Sequence, residues 1–175
     1  MLSERYHARV PFVKQLMNRL MNAASSKGQI KTLLGRRCRF PKYEPVLRGD
    51  DWGKYVPAED HERMLELQQM GPTIIDEDGI NTGKKNYWHN NPSRRAFTYK
   101  ALNKLIQGSA ADMTKKAMLD LYKEGIIPHI QVHDELDISV SDNSEKIKEI
   151  MENAVDLKIP NKVDYESGPN WGSIK

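Results

Sequence analysis

Two apolar arms flank a charged triplet in HIQVHDELDISV, residues 129–140. Isoleucine, valine and leucine alternate with polar residues in both arms. Strict alternation is typical of strands that bury one face, so the stretch predicts a β-hairpin. The tip of this hairpin then carries the triplet His133, Asp134 and Glu135.

The acidic tip has two interpretations. The adjacent carboxylates of Asp134 and Glu135 repel each other, and a divalent cation or a basic group would stabilise both. A rigid pair of strands could hold them towards such a metal ion. Alternatively, the turn is simply polar, because aspartate is common in turns and acidic tips keep sheet edges soluble. These residues by themselves leave both interpretations open.

The composition is that of a globular protein. The chain has 175 residues, of which 38% are hydrophobic and 29% charged, and this length predicts a single domain. No apolar run approaches the roughly 20 residues that a membrane-spanning helix needs, and the first residues lack the apolar stretch of a signal peptide. The single cysteine, Cys38, can form no internal disulfide and no thiolate metal site. We therefore expect a protein of a reducing cytoplasm with no membrane partner.

The charges are unevenly distributed along the chain, although their sum is only +3. Residues 1–42 carry ten lysines and arginines and one acid, whereas residues 126–175 carry ten acids and five bases. A basic region that contacts a polyanion and an acidic region that binds metal ions would produce this pattern in an enzyme acting on nucleic acid. An ordinary fold whose opposite charges pair internally would produce it as well.

Hydrophobic periodicity predicts helices and strands along most of the chain. Apolar residues at three- and four-residue spacing predict an amphipathic helix over residues 3–24 and a long helix over residues 93–125. Residues 43–92 are rich in Pro, Gly, Asp and Asn, which favours turns, and we interpret this segment as an insertion or a lid. The other predicted elements are a strand at 29–34, a short helix at 58–70, a helix that begins near Glu145 and a last strand at 163–166.

Two arginines, Arg36 and Arg37, follow a glycine turn at Gly35. Planar guanidinium groups bind phosphate through paired hydrogen bonds, so this turn is a candidate contact for a nucleic-acid backbone. An arginine-rich turn is also an ordinary soluble surface. The local sequence does not decide between the two.

Two amide side chains, Asn103 and Gln107, lie one helical turn apart on the long predicted helix. Side-chain amides can donate hydrogen bonds to the minor-groove acceptors that every base pair presents. Such a pair suits a protein that holds DNA regardless of its sequence. The alternative is a helix that packs tightly on a sheet, with the two amides merely exposed.

Three blocks of sequence, in this order, resemble the C-terminal part of a family A DNA polymerase, the bacterial DNA polymerase I type that also occurs in phages. They are TLLGRR at residues 32–37, NKLIQGSAAD at 103–112 and QVHDEL at 131–136, and GPNW at 168–171 adds to the match. The resemblance covers nearly the whole chain except roughly residues 43–92, where the family is usually shorter. It implies an α+β fold, a partial polymerase palm in which an antiparallel hairpin or sheet packs on long helices.

The resemblance also implies a role for each matching residue. The QVHDEL block corresponds to motif C, in which Asp134 would bind the catalytic Mg²⁺ ions and Glu135 would support that site. Two metal ions promote in-line phosphoryl transfer to the primer 3′ hydroxyl and neutralise the leaving pyrophosphate. The implied substrates are primer-template DNA and deoxynucleoside triphosphates. The implied DNA contacts are His133, Asn103 and Gln107 in the minor groove, Arg36 and Arg37 at the duplex backbone and Gln131 at the primer end.

The family's second metal-binding aspartate and its nucleotide-binding fingers helix lie upstream of the matched blocks. One carboxylate pair at a hairpin tip cannot hold both metal ions. We therefore expect residues 1–175 to form one incomplete palm and fingers domain that is inactive alone. It would act in a split polymerase with an upstream fragment carrying motifs A and B, in bacterial or phage-infected host cytoplasm. The alternative is a catalytically inactive DNA-binding fragment.

Overall fold

The computed structural model describes residues 9–46, 57–139 and 143–173, and it confirms the predicted α+β class. These residues form four α-helices and four two-stranded antiparallel sheets. None of the described helices is long and apolar enough to cross a membrane. In chain order the elements are α1 (Pro11–Lys27), β1 (Gln29–Lys31), β2 (Arg37–Arg39), β3 (Tyr43–Pro45), α2 (His61–Gln69), β4 (Thr73–Ile75), β5 (Asn81–Lys85), β6 (Ser93–Arg95), α3 (Ala101–Lys123), β7 (Ile130–Val132), β8 (Glu135–Asp137) and α4 (Ser144–Glu152).

The chain divides into two compact units. The first unit comprises Met1–Lys31 and Arg37–Leu105. The second unit comprises Thr32–Arg36 and Ile106–Lys175. The boundary falls within the long helix α3, so the start of this helix belongs to the first unit and the rest of it to the second.

The helix α1 begins at Pro11, which occupies its first turn. Proline is tolerated there because its missing N–H would have had no helical partner. The helix predicted over residues 3–24 is therefore confirmed from Pro11 onward, whereas residues 3–8 lie outside the described part of the chain. The helix is closed by Gly28, whose φ of +66° lies in the left-handed region.

Strands β1 and β2 form a short antiparallel hairpin in which Gln29 lies opposite Arg39. The strand predicted over 29–34 is right only in its first half. Its second half forms a turn instead, because the Gly35 amide donates a hydrogen bond to the Thr32 carbonyl. The core beside this hairpin consists of Ala24, Ile30, Phe40 and Ala101.

Replacing Gly28 with alanine is expected to destabilise the first unit by about 1–2 kcal/mol, the usual cost of a left-handed backbone for a residue with a Cβ. A Cβ at this position would also lie 2.6 Å from Cζ of Arg95, so the guanidinium would have to move. Chemical denaturation followed by circular dichroism measures the loss. Gly79→Ala is the matched control, because Gly79 has a φ of +78° but open space around it. An equal loss for both variants would contradict the predicted clash.

Residues 57–92 contain a small core of their own. The helix α2 begins at His61, three residues later than predicted, because Asp60 caps it by accepting a hydrogen bond from the Arg63 amide at 2.9 Å. The side chain of buried Asn86 donates to the Leu67 carbonyl at 2.7 Å and so joins the helix to the segment that follows β5. The buried apolar residues of this segment are Ala58, Met64, Leu67 and Trp88.

The long helix α3 begins at Ala101, so the prediction that it starts at residue 93 is wrong. Residues 93–95 form strand β6, which pairs with β3. Buried Glu44 on β3 accepts a hydrogen bond from Arg94 on β6 at 2.7 Å, which reinforces this pairing. Phe97 then adopts a φ of +60°, which no α-helix tolerates. The pairing joins residues 50 positions apart, and local periodicity carries no sign of it.

The second unit contains the predicted hairpin, formed by β7 and β8, and the predicted C-terminal helix α4, which buries Ile147. The strand predicted at residues 163–166 is absent, and these residues have no regular structure. The Val163 amide donates instead to a carboxylate oxygen of Glu152 at 3.0 Å. An apolar and polar alternation over four residues was too short to specify a strand that has no partner.

Candidate metal-binding and nucleic-acid site

The hairpin of β7 and β8 places its charged triplet at a tight turn. Val132 lies opposite Glu135 in the ladder, so His133 and Asp134 form the turn between them. His133 has a φ of +52°, a left-handed conformation that short hairpin turns require. The Gln131 side chain donates a hydrogen bond to the His133 carbonyl at 3.0 Å and ties the turn to the strand. The strand ladder and the hydrogen bond from Gln131 therefore both restrain the backbone of the turn.

Both carboxylates of the tip, Asp134 and Glu135, are exposed to solvent. Neither makes a hydrogen bond or an ion pair with the described residues. Carboxylate oxygens are the ligands that Mg²⁺ prefers, so an exposed acidic tip suits one side of a divalent-cation site. Within residues 9–46, 57–139 and 143–173, no group of three or more His, Cys, Asp or Glu side chains could hold a metal ion. Among these residues, Asp134 and Glu135 are therefore not part of a larger cluster of possible metal ligands.

A second polar cluster of this unit joins Thr32, Arg36 and Asp112. The Asp112 side chain, only 8% exposed, accepts a hydrogen bond from the Thr32 hydroxyl at 2.5 Å and one from Nε of Arg36 at 2.6 Å. Arg36 Nη2 also donates to the Gly108 carbonyl at 2.8 Å. The cluster fastens the arginine-containing turn to helix α3.

The environment of Asp112 favours its ionised form. Burial alone raises the pKa of this carboxyl, because it disfavours the charge. The hydrogen bonds from Thr32 and Arg36, together with the charges of Arg36 and Lys115, outweigh that effect. The pKa of Asp112 therefore lies below its ordinary value, and at neutral pH a negative charge faces the Arg36 guanidinium.

Sequence reasoning did not identify the role of Asp112. Thr32 and Asp112 occur in the polymerase-like blocks 32–37 and 103–112, but they are 80 positions apart, and no local pattern indicates that they touch. The sequence did show an aspartate on the same predicted helix as Gly108 and Ser109. If that aspartate is buried, its charge requires a partner. Arg36, which the sequence predicts to contact DNA, makes two side-chain hydrogen bonds within the protein, and its side chain remains 46% exposed.

The other predicted DNA contacts are solvent-exposed. Arg37 opens strand β2, and its side chain is exposed. Asn103 and Gln107 are both exposed and lie one turn apart along α3, as the spacing predicts. His133 is exposed at the hairpin tip, next to Asp134. Asn103 and Gln107 are therefore neighbours on α3, and His133 and Asp134 are neighbours at the hairpin tip.

Comparison with known proteins identifies relatives of this chain. A DNA-directed DNA polymerase of Pseudomonas phage M6 is 35% identical over 173 residues, which cover 98% of this chain and 19% of the phage protein. DNA polymerase I of Geobacillus stearothermophilus is 33% identical over 184 aligned residues, which cover 98% of this chain and 16% of that protein. The chain therefore spans about a fifth or less of the length of these curated relatives.

A solved structure is similar as well. It is the POL domain of Pol1 from M. smegmatis, in complex with DNA primer-template and dNTP. The similarity has a TM-score of 0.60 and 25% sequence identity, and it covers 98% of this chain and 25% of that one. The sequence profile of DNA polymerase family A matches residues 1–173, and with these relatives it shows that the chain belongs to DNA polymerase family A.

Proposed function

We propose that this chain supplies the motif C part of a DNA-directed DNA polymerase, which adds deoxynucleotides to a primer 3′ end under the direction of a template. The observation that carries the proposal is the exposed Asp134–Glu135 tip of the β7–β8 hairpin in a family A chain. Support comes from the similar Pol1 domain, which was solved with DNA primer-template and dNTP. The same two ligands are the proposed partners of this chain.

Asp134 is the proposed Mg²⁺ ligand, and Glu135 supports the same site. When bound there with a second ion, Mg²⁺ would activate the primer 3′ hydroxyl and neutralise charge on the departing pyrophosphate. The part played by this chain is to hold the two carboxylates in place. The ladder of β7 and β8 and the hydrogen bond from Gln131 to the His133 carbonyl restrict movement of the tip. The side chain of Asp134 is exposed, so binding a metal ion would break no hydrogen bond or ion pair with the described residues.

The β7–β8 hairpin would be stabilised by another strand or helix packed beside it. An isolated two-stranded hairpin is marginally stable in water, and both outer edges of this sheet lack a strand partner among the described residues. Its apolar side chains Ile130 and Val132 are 47% and 38% exposed. We infer that a strand from the remaining part of the polymerase pairs here and brings the other metal ligands. That part is carried by an upstream segment, either on the same polypeptide or on another, and residues 1–175 alone are inactive.

The DNA contacts follow from exposure and chemistry. Asn103 and Gln107 would donate to minor-groove acceptors of the primer-template duplex, and His133 would contact the primer end beside Asp134. Arg37 would bind a backbone phosphate. Two of the five N–H donors of Arg36 are committed to Asp112 and Gly108, so its remaining donors are available to a phosphate. Gln131 would act on the primer end through the turn that it stabilises.

A complementation assay tests this function. The chain is mixed with a polypeptide that carries motifs A and B, and Mg²⁺-dependent primer extension is measured for each component and for the mixture. We expect extension only from the mixture. Extension by the chain alone would contradict the proposed incompleteness. Binding of primer-template DNA without synthesis in any mixture would favour the inactive DNA-binding fragment instead.

A further inference from the structure

A cavity of about 390 Å³ opens in residues 57–88 of the first unit. Its walls are mainly apolar and include Leu67, Ile74 and Trp88. Because Leu67 and Trp88 also belong to the buried core of this segment, one wall of the cavity is fixed by packing. The volume lies in the range of roughly 300–1,000 Å³ that is usual for small-ligand sites.

Most of the charged residues that line this cavity are basic. Three of its lining residues are cationic and one, Glu59, is acidic. Glu59 is paired with Lys42 at 2.6 Å, and Arg63 is paired with Glu66 at 2.8 Å, so these groups add little net charge. Lys84 is exposed and forms no ion pair with the described residues. The ammonium of Lys84 is thus available to an anion.

Aromatic rings accompany this charge. Tyr87 and Trp88 both line the cavity, but Trp88 is only 2% exposed, so the partly exposed Tyr87 offers the larger ring surface. The ammonium of Lys85 lies 5.0 Å from the centroid of the Tyr87 ring, so a cation and an aromatic face occur side by side. Apolar and aromatic walls beside basic residues are the combination with which proteins bind single-stranded nucleic acid, since bases stack on the rings and phosphates meet the cations.

The hairpin of β4 and β5 limits where a phosphate chain could run. Acidic residues 76–78 occupy its turn, and Asp76 is held there by accepting hydrogen bonds from the backbone amides of Asp78 and Ile80. These charges repel phosphate. Lys84 lies at the opposite end of strand β5, next to the cavity, and only this end suits a polyanion.

We propose that the cavity binds one unpaired base of a DNA single strand, with the adjoining phosphate at Lys84. The occupant is a single strand because the bases of a duplex are stacked and paired, whereas a recess of this size admits one base that has left the stack. This site is separate in the sequence from the acidic hairpin and from Asn103 and Gln107. It rests on the proposed function only in that the chain acts on DNA.

Binding of short labelled oligonucleotides to the full chain, followed by fluorescence anisotropy at about 50 mM salt, tests the base contact. Oligothymidylate is compared with an abasic strand of equal length and charge. We expect oligothymidylate to bind about five-fold tighter or more, the effect of one stacked base. Ile74→Trp fills the cavity and should abolish this preference. Ile75→Trp is the matched control, because Ile75 is the next residue of β4, is 40% exposed and does not line the cavity.

A charge reversal tests the phosphate contact. Lys84→Glu should weaken binding of both oligonucleotides several-fold, whereas Lys14→Glu, an exposed position on α1, should have a smaller effect. Equal binding of the two oligonucleotides, or an equal effect of Ile74→Trp and Ile75→Trp, would overturn the inference. Displacement of the oligonucleotide by free thymidine monophosphate or by an acidic peptide at similar concentration would assign the cavity to that ligand instead.

The two proposals can fail separately. Primer extension by the mixture, combined with oligonucleotide binding that has no base preference, would overturn the cavity site alone. Base-dependent binding that responds to Ile74→Trp, combined with no extension in any mixture, would overturn the polymerase role alone.

Discussion

Alanine at position 134 is expected to reduce Mg²⁺-dependent primer extension by the assembled polymerase about a thousand-fold or more. A metal ion contributes several kcal/mol to stabilising charge in a phosphoryl-transfer transition state, and each ~1.4 kcal/mol is a tenfold change in rate. Asp134→Ala removes the proposed ligand but no contact with the described residues. The variant should therefore unfold at the same denaturant concentration as the wild type. The measurements are extension rates at saturating Mg²⁺ and a denaturation curve.

The matched control for this prediction is Asp164→Ala. Asp164 is also an exposed acid of the second unit, but it lies outside the hairpin and outside any regular element. Its loss should leave extension within about two-fold of the wild type, as surface charges away from the reacting atoms usually do. Activity of Asp134→Ala close to that of Asp164→Ala would remove Asp134 from the proposed metal site.

Asp112→Ala is expected to cost about 2 kcal/mol of stability, the second large effect. The substitution leaves the Thr32 hydroxyl and Nε of Arg36 without the acceptor that holds them. A fully buried pair would cost more when broken, but the Arg36 side chain is 46% exposed, so water can replace part of the lost interaction. Chemical denaturation followed by circular dichroism measures the difference.

This stabilisation by Asp112 should depend on pH. Because its pKa is lower in the folded protein than in the unfolded chain, the contribution is fully present above the unfolded value of about 4. It is lost as the pH falls through the lower pKa of the folded state. The difference in unfolding free energy between the wild type and Asp112→Ala should therefore be constant near neutral pH and shrink below about pH 4. A difference that grows on acidification would contradict the assigned ion pair.

Asp120→Ala is the control for the stability prediction. Asp120 lies on the same helix α3 and pairs with Lys116 and Lys123. Hydrogen bonds from these two lysines lower its pKa as well. Both pairs lie within one helix, and the two lysine side chains are exposed although Asp120 is half-buried, so we expect the pairs to contribute less to stability than the Asp112 cluster. A loss for Asp120→Ala as large as that for Asp112→Ala would mean that the cluster with Thr32 and Arg36 has no special stabilising role.

Elements whose causes are local were predictable. The hairpin of β7 and β8 needs only alternating apolar residues and a tight turn, and its paired residues lie within a few positions of each other. Helix α1 and the body of α3 follow from apolar spacing. Two predictions failed because of a distant partner or the lack of one. Residues 93–95 are a strand because β3 is available to pair with them, and residues 163–166 are not a strand because no described strand pairs with them.

The candidate site divides in the same way. The acidic tip and the one-turn spacing of Asn103 and Gln107 are visible in the residues themselves, and so is the likeness to family A polymerases. The sequence does not show whether these side chains are buried or exposed in the folded protein. Nor does it show the engagement of Arg36, since its partner Asp112 is 76 positions away.

The order of residues specifies which chemical groups this protein can present: a pair of carboxylates between two β arms, amides one helical turn apart and the motif blocks of a polymerase family. The folded structure specifies which of these groups contact other parts of the protein and which face solvent. It assigned Arg36 to Asp112, left Asp134 exposed and formed the cavity beside Ile74 and Trp88. The physical reason is that charge pairing and burial depend on distances in space between residues far apart in the chain, whereas periodicity reports only on near neighbours.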